Sequence, residues 1–139
     1  MNLSAAEARR HFADARVARL ATADAAGVPH VVPITFVVDE DVIYFVIDSK
    51  PKRSTDLRRL RNIAENPAVA VIADQYTDDW SALWWARAEG RAEIWEDGED
   101  RLLAVRQLRQ KYRQYEETPP QGPVVAIRIA TWSGWAYAG

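Results

Sequence analysis

The densest chemistry in the chain lies at Asp48-Ser49-Lys50-Pro51-Lys52-Arg53-Ser54-Thr55, just ahead of an apolar-periodic stretch. In that stretch Leu57, Leu60, Ile63 and Ala64 recur at helical spacing, which predicts a helix ending at Asn66-Pro67. Free N–H groups at a helix start attract an anion, and cationic and hydroxyl side chains beside them add charge-assisted hydrogen bonds. The segment therefore has the chemistry of a phosphate cradle, without the glycines of a P-loop. It reads equally as a solvated basic turn in which Ser54 or Thr55 caps the helix.

Other reactive groups are sparse. There is no cysteine, which excludes disulfides, thiolate catalysis and zinc–sulfur sites. The two histidines, His11 and His30, lack a second ligand at metal-binding spacing. His11 is expected on the surface of a first helix. His30 begins a strand, where it either lines a pocket or satisfies a carbonyl. The carboxylate pairs Asp78-Asp79 and Glu116-Glu117 diverge in strand or helix and read as solvated. Six tryptophans are a heavy aromatic load for 139 residues and suit a small core together with a subunit interface. A net charge of -2 gives no general attraction for nucleic acid. No apolar run approaches a membrane span, and the charged N-terminus lacks the apolar stretch of a signal peptide, so a cytoplasmic protein is expected.

The elements that must position these residues follow from periodicity. Ser4 and Glu7 form a capping-box pattern ahead of a helix over residues 4–15. Val17–Thr22 reads as a strand. His30–Val38 is a β-branched run read as one strand, joined through Asp39-Glu40-Asp41 to Val42–Ile47 as a hairpin. Pro33 within that run marks an edge, a bulge or a break, because proline gives no ladder donor. Val69–Ala73, Leu83–Trp95 with a bulge at Gly90, and Val124–Ile129 complete the strands, and Asp97–Tyr115 reads as a second long helix. The order fits one α+β domain over residues 1–139, with about six antiparallel strands and two to three helices, rather than a doubly wound fold. A β-grasp or other open α+β sheet is the fallback to a barrel.

The chain also resembles a known family. ARLAT (18–22), GVPHVVPITF (27–36), KPKRSTDLRRLRNIAENP (50–67), DQYTDDWSALWWARAEGRAEI (74–94), KYRQY (111–115) and TWSGW (131–135) follow in an order similar to the F420-dependent oxidoreductases of the pyridoxamine-phosphate-oxidase-like split-barrel class. That resemblance implies a split β-barrel and a homodimer with cofactor sites at its interface. It implies a phosphate held by Lys50, Lys52, Arg53 and Ser54, and a ring lying against Pro33, Ile34, Thr35 and Phe36. It implies coenzyme F420, with FMN as the alternative, and hydride transfer to a small conjugated acceptor. No catalytic side chain and no metal ligand are named, since the cofactor performs the chemistry. A cofactor carrier without turnover is the reading from another functional class.

Overall fold

The computed structural model describes residues 1–47 and 57–138. Lys50, Lys52, Arg53 and Ser54 thus lie outside the described residues. The order is α1 (Ala5–Asp14), β1 (Ala18–Ala23), β2 (Pro29–Ile34), β3 (Val37–Asp39), β4 (Val42–Val46), α2 (Arg58–Glu65), β5 (Ala68–Gln75), a 3-10 turn (Trp80–Ala82), β6 (Trp84–Trp95), α3 (Glu99–Lys111), α4 (Arg113–Glu117) and β7 (Val124–Ala136). Among the described residues no helix is long and apolar enough to cross a membrane.

The capping box forms as its sequence requires: Ser4 N–H donates to Glu7 Oε1 at 2.8 Å and Glu7 N–H to Ser4 Oγ at 3.1 Å. It starts α1 so that Ala8 and Phe12 face inward, both fully buried. Burying a phenylalanine side chain contributes about 3 kcal/mol of transfer free energy, enough to seat a helix of this length on the sheet.

Among the described residues seven strands pair antiparallel, in the order β2-β1-β5-β6-β7-β4-β3. The first and last strands of that order are consecutive in the chain, separated by Thr35 and Phe36 alone. Laid flat, the sheet would span roughly 29 Å. The link from Ile34 to Val37 reaches at most roughly 11 Å. The sheet must therefore curl until its two edges approach each other. No ladder joins β2 to β3 among the described residues.

This arrangement corrects the single strand read over residues 30–38. It is two strands on opposite edges of the sheet: β2 pairs with β1, and β3 alone forms the hairpin with β4. Pro33 does stand on an edge strand, where its missing N–H costs no ladder bond. The hairpin turn places Glu40 at φ 56°, a left-handed position. The expected helix over 97–115 is also two: Tyr112, at φ -118° and ψ 118°, separates α3 from α4. The bulge at Gly90 is present as a register shift between Glu89 and Gly90, and a side chain there would strike the Arg128 carbonyl.

The main core fills the curled sheet with Phe12, Leu20, Phe36, Ile43, Phe45 and Ile127, all at or near zero exposure. A smaller cluster lies under α3, where Val105, Leu108 and Tyr112 meet Val46 and Val124. α2 is pinned to β1 by a buried polar pair, Asn62 Nδ2 donating to Thr22 Oγ1 at 3.0 Å.

Candidate functional site

The seam between β2 and β3 faces the first turn of α2 and the short helix α4. They enclose a cleft of about 340 Å³ lined by Val17, Pro33, Ile34, Thr35, Phe45, Val46, Arg59 and Tyr115. Pro33 and Thr35, two residues apart, both reach it. Phe36 is different: its ring is fully buried against Phe12, at 4.9 Å between centroids. A second cleft of about 290 Å³, lined by Thr35, Tyr112, Gln114, Tyr115, Glu117 and Thr118, adjoins the first across Thr35 and Tyr115. The Thr35 and Tyr115 hydroxyls are 2.8 Å apart and hydrogen-bonded, so together they form the wall between the two.

Arg59 is the charged group of the larger cleft. Its Nε is buried and has no hydrogen-bond partner among the described residues. Burial holds its guanidinium pKa below the ordinary value. A cation placed among Pro33, Ile34, Phe45 and Val46 without a counter-charge is costly, and an anion in the cleft would offset that cost. α2 begins at Arg58 with Leu57 at the N-cap and no side-chain cap, so the helix start lies several residues beyond Lys52 and Arg53. In the sequence Arg59 stands with Arg58 and Arg61 as an arginine that could help receive the glutamate tail of coenzyme F420.

Opposite Arg59, the KYRQY stretch closes the seam. Phe36 N–H donates to the Tyr112 hydroxyl at 3.1 Å, and that hydroxyl lies 3.0 Å from Phe36 O and 2.9 Å from Arg16 O, its possible acceptors. Tyr112 thus satisfies backbone groups that a β2–β3 ladder would otherwise pair. Burial first of all raises the Tyr112 phenol pKa. Lys111 Nζ donates to Ala15 O at 2.8 Å and Ala13 O at 3.3 Å and lies 3.9 Å from the Phe36 ring centroid. Burial, then Arg16, lowers its pKa to about 8. These residues entered the sequence reading through a motif alone. The physical signal was two tyrosines, 112 and 115, one turn apart at the C-terminal end of the helix predicted over 97–115.

The remaining candidates lie elsewhere. His30 carries a buried Nδ1 without a partner among the described residues and lines neither cleft. His11 is half-buried rather than on the surface, its Nδ1 2.9 Å from Glu7 O and its ring 5.1 Å from that of Trp84. Asp79 caps the 3-10 turn by accepting from Ser81 N–H, and Glu116 and Glu117 lie beside Arg109 and Arg113. What faces the larger cleft is an apolar strip, two hydroxyls and one cation with no partner for its Nε among the described residues. That set can hold and orient a flat, anion-bearing molecule, and redox chemistry there would be the bound group's own.

Residues 4–136 match the model of the pyridoxamine 5'-phosphate oxidase family, and the chain belongs to that family. No curated protein sequence matches it. Among solved structures it is similar to an FAD-binding protein of Mesorhizobium loti, with 23% identity, TM-score 0.74, and 96% of this chain and 95% of that one covered. It is similar to a conserved hypothetical protein of Mycobacterium tuberculosis, with 21% identity, TM-score 0.76, and 97% and 86% covered. A third is the FAD-binding protein of Mycobacterium smegmatis, with 18% identity, TM-score 0.66, and 97% and 96% covered. These likenesses support the α+β fold of antiparallel strands. Where they name a cofactor it is FAD, and none of the three names coenzyme F420. The expectation of coenzyme F420 is corrected accordingly: the cofactor named for these similar structures is a flavin nucleotide, not the deazaflavin. The physical reason for the error is plain: a phosphate cradle and a ring-sized cleft look alike for both.

Proposed function

We propose that the chain is an oxidoreductase that binds FMN at the β2–β3 seam and passes hydride between the flavin and a small conjugated acceptor. The observation that carries this reading is Arg59, a half-buried cation whose buried Nε has no partner among the described residues, in a largely apolar cleft. The flavin ring would lie on the Pro33–Thr35 strip, beside the Thr35 and Tyr115 hydroxyls. Lys50, Lys52, Arg53 and Ser54 would receive the phosphate. When bound, the flavin supplies the hydride chemistry, and the chain supplies position and charge. Two similar structures are of proteins described as FAD-binding, which makes the dinucleotide the natural comparison ligand.

The same reading includes the split barrel, its split lying between β2 and β3, and a homodimer. Supporting the dimer is the outer face of the sheet, where exposed Val31 adjoins Ala21, Ala70 and Ile72 across paired strands. Titration of the purified protein with FMN and with FAD, followed by flavin fluorescence, tests the assignment. Saturable binding of FMN supports it, preference for FAD would move the assignment to the dinucleotide, and binding of neither would sink it. Reoxidation of the bound, reduced flavin by an added quinone or nitroaromatic separates an enzyme from a carrier.

A further inference from the structure

Two helices end beside the seam: α1 receives a cation from the last residue of α3, and α3 one from Arg16, two residues past α1. α1 stops at Asp14, leaving the Ala13 and Ala15 carbonyls without intrahelical partners, and both accept from Lys111 Nζ. α3 stops at Lys111, and the Lys111 carbonyl accepts from an Arg16 guanidinium nitrogen at 2.9 Å. Cations at helix C-termini are favoured by the helix dipole. Both cations also sit on aromatic faces: Arg16 lies 4.7 Å from the Tyr112 ring centroid, and Lys111 lies 3.9 Å from that of Phe36.

The clasp encloses one side chain, Tyr112, whose hydroxyl holds the Phe36 backbone. Phe36 is the residue after Thr35, and Tyr115, one turn beyond Tyr112, holds the Thr35 hydroxyl. The Lys111–Tyr115 segment therefore grips the link between the two sheet edges at successive residues, by backbone at Phe36 and by side chain at Thr35. Nothing else described bonds the side chain of Thr35.

We propose that Lys111 is a positioning residue for the flavin cleft: with Arg16 it fixes the Tyr112 phenol on the Phe36 backbone and so sets where Thr35 stands. The inference rests on the flavin reading but concerns a residue that touches neither cleft.

The test uses Lys111→Met, Lys111→Arg and Tyr112→Phe in the full chain, with melting curves as the folding control. Two quantities are read: FMN affinity by fluorescence titration, and exchange of the Phe36 amide by nuclear magnetic resonance. Lys111→Met and Tyr112→Phe should each weaken FMN about tenfold, the loss of roughly one charged or buried hydrogen bond, and speed Phe36 exchange. Lys111→Arg, which keeps a cation for the same carbonyls, should restore both. Unchanged Phe36 exchange in folded Lys111→Met overturns the clasp. Faster exchange with unchanged FMN affinity overturns the positioning role. If Lys111→Met does not fold, Tyr112→Phe with normal FMN affinity is the overturning result. Wild-type protein that binds no flavin refutes the flavin reading and this role together, while its Phe36 exchange still shows whether the clasp forms.

Discussion

Arg59→Met separates a binding cation from a structural one by the sign of two effects. Arg59 Nε is buried without a partner among the described residues, and burial lowers the guanidinium pKa. Methionine keeps much of the stem and removes the uncompensated charge. The partly exposed head group retains some hydration, so relief of its desolvation should stabilise the empty fold by about 1 kcal/mol or less. For a chain of this length that corresponds to a melting point raised by roughly 1–4 °C. Affinity should move the other way. A hydrogen bond to a charged group contributes about 1.5–3 kcal/mol, so FMN should bind about ten- to a hundredfold more weakly. The assays are differential scanning calorimetry of the flavin-free protein and equilibrium titration with FMN at constant ionic strength. Riboflavin, which lacks the phosphate, tells which part of the ligand Arg59 meets: an equal loss for both assigns it to the ring, a loss for FMN alone to the phosphate. A folded Arg59→Met variant that binds FMN normally would refute the cleft assignment. A marked loss of stability would show that the arginine serves the fold instead.

Three further perturbations test the framework. Asn62→Ala leaves Thr22 Oγ1 without its buried donor and should cost about 1–3 kcal/mol in urea unfolding, with little effect on the cleft. Gly90→Ala places a methyl group onto the Arg128 carbonyl at the bulge, so the β6–β7 pairing must shift, and the variant should unfold at lower urea by a few kcal/mol. Lys111 titrates near 8 in the fold against an ordinary 10.5, so the unfolded chain binds more protons between those values, and wild-type stability relative to Lys111→Met should rise with pH across that window. The rise should reach up to about 3 kcal/mol, less whatever solvent screening removes, and a constant difference in paired urea melts would contradict the buried amine.

Where sequence and structure agree, the cause is local. Ser4 and Glu7 start α1 through bonds made within one turn. Leu60 and Ile63 set the buried face of α2, and Val69, Val71 and Ala73 alternate inward along β5. The fused strand over 30–38 shows where local signals stop. Ile34 and Phe36 are both buried, so the period-two pattern runs through the break unaltered. What divides the run is Tyr112, bonded to Phe36 from 76 residues away. The same holds for the helix divided at Tyr112, whose role in the core draws it out of helical geometry. Arg59 is one arginine of a basic stretch in the sequence, and the lack of a partner for its buried Nε among the described residues is a property of the folded cleft.

The seam itself explains why a ring-bearing ligand would settle there. A sheet whose two edges approach without pairing leaves backbone donors and acceptors that must find water, side chains or a ligand. On the α3 side the Tyr112 hydroxyl satisfies Phe36, and that face is closed. On the α2 side Pro33 offers no N–H, so a flat apolar surface can lie against this edge without stranding a donor at that residue. Ile34 and Val46 extend the same strip, and the Thr35 hydroxyl stands at its end, beside the break. Proline in the edge strand thus limits pairing with another strand and provides a donor-free surface for a ring. Substituting Pro33 by valine separates these roles. The strand regains a donor and the edge becomes a better template for pairing, so the variant should aggregate more readily while its monomeric fraction binds FMN more weakly. Wild-type solubility and affinity in Pro33→Val would mean that the strip owes nothing to its proline.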